Sequence, residues 1–238
     1  MRVVCVLSWN RCEVKCHDQD KKGREPGKLL WYRQQDGASY EQMDKEVREE
    51  LIDQLLREQG HLCAYCMSKI PESRNLPSGV PAVTIEHWLP RNPDDKLDIG
   101  QGLDYKNMFA VCSGNRGCGC EEKLTCDARK GNDAIKVNPC DESTLRGITY
   151  KANGIIQSSD PVIDEDLNQR LNLNGANSSF QENRKQVLES LIFDVKKRCG
   201  NGDISLYCKR RLEKIQAMDD PKIPYVGILI WWLEKHIK

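Results

Sequence analysis

The chain has 238 residues, of which 39% are hydrophobic, and its 36 lysines and arginines balance its 36 acidic residues. This length and apolar content allow one good core or two small ones and exclude disorder throughout the chain. A formal net charge of +0 argues against a protein that holds nucleic acid by electrostatics alone, because phosphate contacts require a basic surface. Local basic clusters, such as residues 21–24 and 196–198, or a partner would have to supply the positive charge that binds phosphate.

Twelve cysteines are many for an intracellular protein. The first residues nevertheless lack the long apolar stretch and cleavage site of a secretory signal, so we expect a reducing compartment. The longest apolar run, residues 225–233, is about half of what a bilayer requires. These features predict a soluble, cytoplasmic protein with no membrane partner.

The first clear element is a helix from Tyr40 to Gln59. We expect little regular structure in residues 1–40, where Gly23, Pro26 and Gly27 interrupt any pattern. After that segment, apolar residues fall at helical spacing and charged residues fill the other face; the apolar positions are Met43, Val47, Leu51, Leu55 and Leu56. Gly60 stands where a helix-ending glycine belongs, so this helix leads directly to Cys63.

Cys63 and Cys66 are separated by two residues, a spacing at which two thiolates bind one metal ion without strain. Four thiolates form a closed structural zinc site, and the second pair must come from Cys112, Cys118, Cys120 and Cys126. We favour Cys112 and Cys126, because each lies beside a candidate catalytic element and the insertion between them can loop out. Only one residue separates Cys118 from Cys120, a spacing that strains the binding of one metal ion by both thiolates. The alternative is that some of these cysteines are free buried thiols.

Two short strands and a helix lie between these cysteines. The first strand, residues 82–85, ends on Glu86 and His87, and the second covers residues 106–112. Polar loops at 71–81 and 92–105 separate the pieces, and a helix opens at Cys126. A strand end is a suitable place for a catalytic pair.

These residues have the chemistry that phosphodiester hydrolysis requires. His87 is the candidate general base, because an imidazole is sufficiently neutral at cellular pH to accept a proton. Glu86 and Asp127 are hard oxygen donors of the kind that Mg²⁺ or Mn²⁺ prefers. Asn107 is suited to orienting the imidazole or its strand, and Arg129 and Lys130 follow Asp127 closely enough to meet phosphate oxygens.

The C-terminal part of the chain reads as a hairpin followed by helices. Asn153 and Gly154 mark the hairpin turn, and helices are predicted at 161–174 and 180–198. A short, very apolar helix from Pro224 packs in the chain's own core or docks on a partner. The expected fold is therefore α+β in a mostly helical chain, with an N-terminal segment 1–40, a site-bearing region 41–135 and a C-terminal region 136–238.

The order of the site residues resembles that of the HNH endonucleases. Their ββα-metal finger carries an acidic residue or histidine followed by histidine on one strand, then a central asparagine, then histidine or asparagine on a helix. The resemblance implies a zinc-stapled ββα-metal finger with Glu86, His87, Asn107 and Asp127 in these positions and Lys130 close by. The chain departs from the pattern in having Asp127 at the last position and an insertion within the second cysteine pair.

A narrower resemblance covers most of the chain after residue 40. The segments "LLREQGHLCAYC", "IEHWLPR", "NMFAVCSGN" and "CDARKGN" are similar to the HNH component of Septu and retron-linked anti-phage systems, often called PtuB. This resemblance implies a bacterial defence effector that cleaves DNA or RNA under the control of an ABC/SMC-like ATPase of the PtuA type. It leaves open a retron reverse transcriptase and its RNA–DNA product as further partners.

Two other classes of function compete with this interpretation. The first is a zinc-stapled module that binds nucleic acid or a partner and has lost catalysis. The second is a redox or metal-storage protein, which would account for twelve cysteines but not for His87 and Asn107.

Overall fold

The computed structural model describes residues 24–91, 102–176, 178–200, 202–218 and 220–237. Across these residues the chain has mixed α and β structure, with helices predominating and two small antiparallel sheets. The helices are α1 (Gly27–Tyr32), α2 (Lys45–Glu58), α3 (Cys126–Lys130), α4 (Glu142–Leu145), α5 (Pro161–Glu165), α6 (Phe180–Cys199), α7 (Ser205–Gln216) and α8 (Val226–Lys235). The strands are β1 (Val83–His87), β2 (Met108–Cys112), β3 (Ile148–Tyr150) and β4 (Ile156–Ser158).

Helix α2 ends as the sequence predicts, at a glycine with positive φ. Gly60 has φ 61°, and its N–H donates to the carbonyl of Arg57. The next N–H, of His61, donates to the carbonyl of Leu56 at 2.8 Å. These two hydrogen bonds form a Schellman motif, which satisfies carbonyls that a helix end leaves unpaired. The motif turns the chain sharply toward Cys63.

Strands β1 and β2 pair in an antiparallel register that separates the cysteine end from the histidine end. Val83 lies opposite Cys112 at one end, and His87 lies opposite Met108 at the other. Helix α3 follows and packs against β2. Two strands and one short helix thus bring Glu86, His87 and Asp127 into one region, although each element has only five residues.

A buried glutamine joins α2 to the edge of β2. The Gln59 side-chain amide donates to the carbonyl of Ala110 at 2.7 Å and accepts from the Ala110 N–H at 2.8 Å. The Ala64 N–H donates to the same carbonyl at 3.1 Å. No strand among the described residues pairs with β2 on this edge, and the Gln59 side chain takes that place and fixes the cysteine turn beside the sheet.

One hydrophobic core runs through the described residues, from Leu29 in α1 to Leu233 in α8. Helix α8 packs against α6, α7 and β3, and six of its residues are buried. Its two tryptophans are half-buried: Trp231 contacts the Tyr150 ring edge-on, and Trp232 stacks on His236. The helix therefore belongs to the chain's own core, the first of the two alternatives that the sequence left open. None of the described helices is long and apolar enough to cross a membrane.

Two elements differ from the sequence-based expectations. Residues 27–32, expected to lack regular structure, form α1, because Leu29 and Tyr32 are buried and the helix packs on α2. Helix α7 was not predicted, because its sequence alternates charged with apolar residues and buries only Cys208 and Ile215. Residues 1–23 and most of the expected loop 92–105 lie outside the described residues.

The hairpin turn at Gly154 provides a test of the packing. Its φ is +86°, and a Cβ there would come within 2.1 Å of the Gln181 carbonyl oxygen on α6. Gly154→Ala should therefore lower the free energy of unfolding by about 1–2 kcal/mol for the backbone conformation and about 1–3 kcal/mol more for the collision. Gly37→Ala is the matched control, because φ is +75° and no atom lies within 4 Å of its Cβ position. Equal losses in denaturant titrations of the two variants would contradict the packing of the hairpin on α6.

Candidate functional site

Four cysteine sulfurs form one cluster at the base of the site. The Sγ–Sγ distances are 3.9 Å between Cys63 and Cys126, and 3.8 Å from Cys112 to both Cys66 and Cys126. All four sulfurs lie within 4.8 Å of one another, and all four thiols are free. A tetrahedron with Zn–S bonds of about 2.3 Å has edges of about 3.8 Å, so the cluster fits one zinc-like ion. The structure therefore places Cys112 and Cys126, the second pair that the sequence favoured, together with Cys63 and Cys66 in a cluster that could hold a zinc-like ion.

The chain brings these cysteines together through two local devices. In the first, the Cys63 N–H donates to the Ser68 carbonyl at 3.0 Å and the Met67 N–H to the Cys63 carbonyl, which closes a tight turn. In the second, the insertion between Cys112 and Cys126 is pinned at its base. The Thr125 N–H donates to the Gly114 carbonyl at 3.0 Å, and a Cβ at Gly114 would come within 2.3 Å of the Thr125 oxygen.

Cys118 and Cys120 lie in the insertion and outside the four-sulfur cluster. Cys118 is exposed, and its thiol donates to the carbonyl of Cys120 at 3.1 Å. In the cluster, by contrast, burial raises the pKa of the Cys66 and Cys126 thiols, while hydrogen bonds with the other three thiols lower the pKa of Cys112. Burial thus opposes ionisation of Cys66 and Cys126, although metal ligands are thiolates. A divalent ion that replaces the thiol protons would balance the charge of all four thiolates.

Glu86 is buried beside two donors. Its Oε1 atom accepts a hydrogen bond from the Tyr65 hydroxyl at 2.8 Å and lies 2.9 Å from the Lys130 ammonium. The Lys130 side chain is 0% exposed and also donates to the His87 carbonyl at 3.2 Å. Burial, followed by the nearby Asp127 carboxyl group, raises the pKa of Glu86 to about 8.

Asp127, in the first turn of α3, faces Glu86 from the other side. The two carboxyl groups lie close enough that each shifts the pKa of the other, and the Arg116 guanidinium donates to Asp127 Oδ2 at 2.5 Å. Burial raises the pKa of Asp127, but the interactions with Glu86 and Arg116 outweigh it and leave the pKa below its usual value. A buried carboxyl group beside a half-buried one favours a proton or a cation between them, because two bare anions would repel each other.

His87 presents one ring nitrogen as a proton acceptor. Its Nε2 atom lies 3.0 Å from the carbonyl oxygen of Gly102. A carbonyl only accepts, and a neutral imidazole has one N–H, so Nε2 carries the hydrogen and Nδ1 has the free lone pair. Burial lowers the pKa of His87 to about 4, which keeps the ring neutral. A neutral ring with an available Nδ1 is the form that a general base requires.

Asn107 holds the chain that follows His87. Its side-chain oxygen accepts from the Leu89 N–H at 2.7 Å, and its side-chain nitrogen donates to the Leu89 carbonyl at 2.9 Å. The Asn107 carbonyl accepts from the Trp88 N–H at 3.0 Å. The residue is buried and orients the end of β1, not the imidazole itself; the sequence had allowed either role.

Lys130 and Arg129 lie in different surroundings, although the sequence suggested that both could meet phosphate oxygens. Lys130 is fully buried, so it holds Glu86 and the end of β1 and is not placed to meet a phosphate. Arg129 is exposed, and its Nε donates to the carbonyl of Gln169 at 3.3 Å. The half-exposed Arg116 is the guanidinium that donates directly to Asp127.

Several residues around the site carry no motif and were missed by sequence reasoning. The ring of Tyr40 meets the His87 ring edge-on, with centroids 4.6 Å apart. The guanidinium groups of Arg91 and Arg48 lie 4.3 Å and 4.6 Å from the Tyr40 centroid. Arg91 ends the "EHWLPR" segment and Tyr65 lies between Cys63 and Cys66, so their places in the sequence could have marked them as site residues. Nothing in the sequence marks Tyr40.

Removing one sulfur ligand tests the cluster directly. Cys63→Ser should abolish binding of one zinc ion per chain and give unstable or insoluble protein, because a structural zinc site contributes on the order of 10 kcal/mol to folding. Cys118→Ser, outside the cluster, should keep both zinc and stability. Elemental analysis and thermal melting measure the two effects. Zinc retained in Cys63→Ser, or lost in Cys118→Ser, would overturn the ligand set.

No family model and no curated protein matches the chain. A function for the site must therefore follow from its own residues and geometry, together with the sequence patterns described above.

Proposed function

We propose that the chain is a metal-dependent endonuclease of the HNH type, which hydrolyses phosphodiester bonds in nucleic acid. The observation that carries the proposal is that the carboxyl groups of Glu86 and Asp127 lie close together beside a neutral His87. The three side chains come from the end of β1 and the start of α3, and the four-sulfur cluster holds these elements together. A base and an oxygen-donor pair in one region are the minimal requirements for this reaction.

His87 acts as general base in the proposed reaction. Its Nδ1 atom takes a proton from a water molecule as the water oxygen bonds to phosphorus. The bond from phosphorus to the leaving oxygen then breaks, and the leaving oxygen acquires a proton from solvent. The hydrogen bond from Nε2 to Gly102 keeps the ring oriented and gains strength as the ring becomes positive.

Glu86 and Asp127 are the residues that would hold a catalytic Mg²⁺ or Mn²⁺ ion, since the site offers two adjacent carboxylates of the hard type that these ions prefer. Such an ion supplies charge neutralisation for the phosphate and the leaving oxygen. The chain's own contribution is to keep both carboxylates in place. Tyr65 and Lys130 fix Glu86, and Arg116 fixes Asp127.

One observation favours a second candidate, a zinc-stapled binding module without catalysis. Each carboxylate already has a cationic side chain, with Lys130 at 2.9 Å from Glu86 and Arg116 at 2.5 Å from Asp127. In such a module these two side chains take the place of a metal ion. The two candidates therefore differ in whether a divalent ion binds between Glu86 and Asp127.

The biological role is proposed from the sequence resemblance alone. The nuclease would act in the bacterial cytoplasm as an anti-phage effector, controlled by an ABC/SMC-like ATPase, with a retron as an optional further component. Co-purification of the full chain from infected cells tests this role. Recovery of such an ATPase with the chain supports it, and its absence from otherwise intact complexes contradicts it.

Substitution of the proposed base tests the reaction. His87→Ala should lower the cleavage rate by about 10²- to 10⁴-fold while the protein stays folded with its zinc content unchanged, because the base acts in the transition state and is not a ligand of the zinc ion. His236→Ala, at the end of α8, is the control and should cleave normally. Cleavage of labelled DNA and RNA in the presence of Mn²⁺ is the measurement. A rate close to that of the unmodified chain in His87→Ala would disprove the assignment of the base.

Substitution of the proposed metal ligand separates the two candidate functions. In the unmodified chain, Mn²⁺ at 100 times its dissociation constant should stabilise the fold by about 2.7 kcal/mol. Asp127→Ala should weaken that effect, and raised Mn²⁺ should partly restore cleavage, because the variant lacks a ligand and keeps the base. Asp133→Ala, an exposed neighbour, should behave like the unmodified chain. If Mn²⁺ stabilises neither the unmodified chain nor Asp127→Ala, the binding module is the better interpretation.

A further inference from the structure

The chain is neutral overall, but its cations are not evenly distributed. Residues 196–214 contain seven lysines and arginines and two acidic residues, a net charge of +5, so the remainder of the chain carries −5. The seven cations are Lys196, Lys197 and Arg198 in α6 and Lys209, Arg210, Arg211 and Lys214 in α7. None of them forms an ion pair within the part of the chain that the structure describes.

Six of these cations are exposed on two adjacent helices, whereas Arg211 is half-buried on the side of α7 that carries Cys208 and Ile215. On α7 the exposed residues recur at helical spacing, with Lys209 and Arg210 followed one turn later by Lys214, while Cys208 and Ile215 face the core. On α6 the exposed Lys196 and Lys197 lie in the last turn, opposite the buried Leu191 and Val195.

The two groups of cations lie close together. Helices α6 and α7 contact each other and both pack on α8. The thiol of Cys199, next to Arg198, is near enough to Cys208 to raise its pKa, although burial is the larger cause. Because a helix rises about 1.5 Å per residue, the cations from 209 to 214, which follow Cys208 directly, span only about 8 Å along α7.

An exposed aromatic ring lies within this charged surface. Phe193 is 65% exposed, although phenylalanine is usually buried, and it precedes Lys196 and Lys197 by three and four residues on the same face of α6. A row of unpaired cations with an exposed aromatic side chain is the combination that binds single-stranded nucleic acid, whose phosphates meet the cations while an unstacked base lies on the ring.

We propose that the exposed residues of α6 and α7, from Phe193 to Lys214, bind a single-stranded segment of nucleic acid through its phosphodiester backbone and one stacked base. This surface, the basic surface, deepens the proposed nuclease activity and rests on it for its substrate. Charge selects the occupant: seven unpaired cations match a polyanion, and the backbone of DNA or RNA presents a phosphate at every nucleotide. A protein partner would bury the apolar ring but would leave most of these charges without a counterpart.

Binding is tested with the full chain carrying His87→Ala, so that the probe is not cut. The probes are fluorescein-labelled single-stranded DNA, the RNA of the same sequence and the DNA duplex, measured by fluorescence anisotropy over a range of salt concentrations. Two independent pairs remove charge, Lys196→Gln with Lys197→Gln and Lys209→Gln with Arg210→Gln. The control pair, Lys69→Gln with Lys151→Gln, removes the same charge from exposed positions elsewhere.

Each test pair should weaken single-strand binding about tenfold and reduce the slope of log K against log salt by about 1.4, since each lost phosphate contact accounts for about 0.7. Phe193→Ala should weaken single-strand binding about tenfold and leave the salt slope unchanged, because it removes stacking and not charge. Trp31→Ala, which removes an equally exposed aromatic ring on α1, outside this surface, should have little effect. The better-bound of the two single strands identifies the sugar that the surface accepts.

Test pairs that bind both single strands as tightly as the control pair would overturn the proposal. Loss of duplex binding with no effect of Phe193→Ala would overturn the single-strand assignment. Failure of this inference is distinguishable from failure of the proposed function: cleavage that depends on His87 can persist without the basic surface, and strand binding can depend on that surface in a chain that never cleaves.

Discussion

The four-sulfur cluster is the constraint on which the site depends. Strands β1 and β2 and helix α3 have five residues each, and elements of that length are not stable alone. The cluster joins the turn after α2, the end of β2 and the first residue of α3. Cys126 also adopts φ 53°, a conformation that costs a non-glycine residue about 1–3 kcal/mol. A bound zinc ion, at on the order of 10 kcal/mol, exceeds that cost several-fold.

Above the cluster, the polar site is organised at the expense of stability. Glu86 and Lys130 form a buried ion pair, and hydrophobic residues of similar volume are often as stable or more stable in such a place. Loss of one partner, by contrast, costs about 3–5 kcal/mol, because the other charge stays buried. The chain satisfies both groups, with Tyr65 as a second donor to Glu86 and the His87 carbonyl as a second acceptor for Lys130. A network of this kind is more readily explained by chemistry at the site than by a need for stability.

The sequence predicted local features well and long-range contacts poorly. The helix ending at Gly60, the strand ending at His87 and the four sulfur ligands all followed from spacing and residue type. The position of Tyr40 against His87 did not, because a contact across 47 positions leaves no periodic signal. Lys130 was expected to meet phosphate because it follows Asp127 closely, and only the fold reveals that Glu86 lies within 2.9 Å of its ammonium group. Helices α1 and α7 were missed because short or highly charged helices depend on tertiary packing.

The charge distribution explains how a neutral chain can act on a polyanion. Most of the molecule is on balance acidic, and the site itself contains two carboxyl groups, so a phosphate approaching Glu86 and Asp127 without a counter-ion is repelled. The basic surface attracts the same phosphate backbone elsewhere, and this attraction weakens as salt screens it. Under the proposed function, a strand held on α6 and α7 raises the local concentration of phosphates, and a divalent ion between the carboxylates neutralises the charge that would repel them. Binding of the strand and cleavage therefore depend on different parts of the chain, so a substitution can weaken one and leave the other.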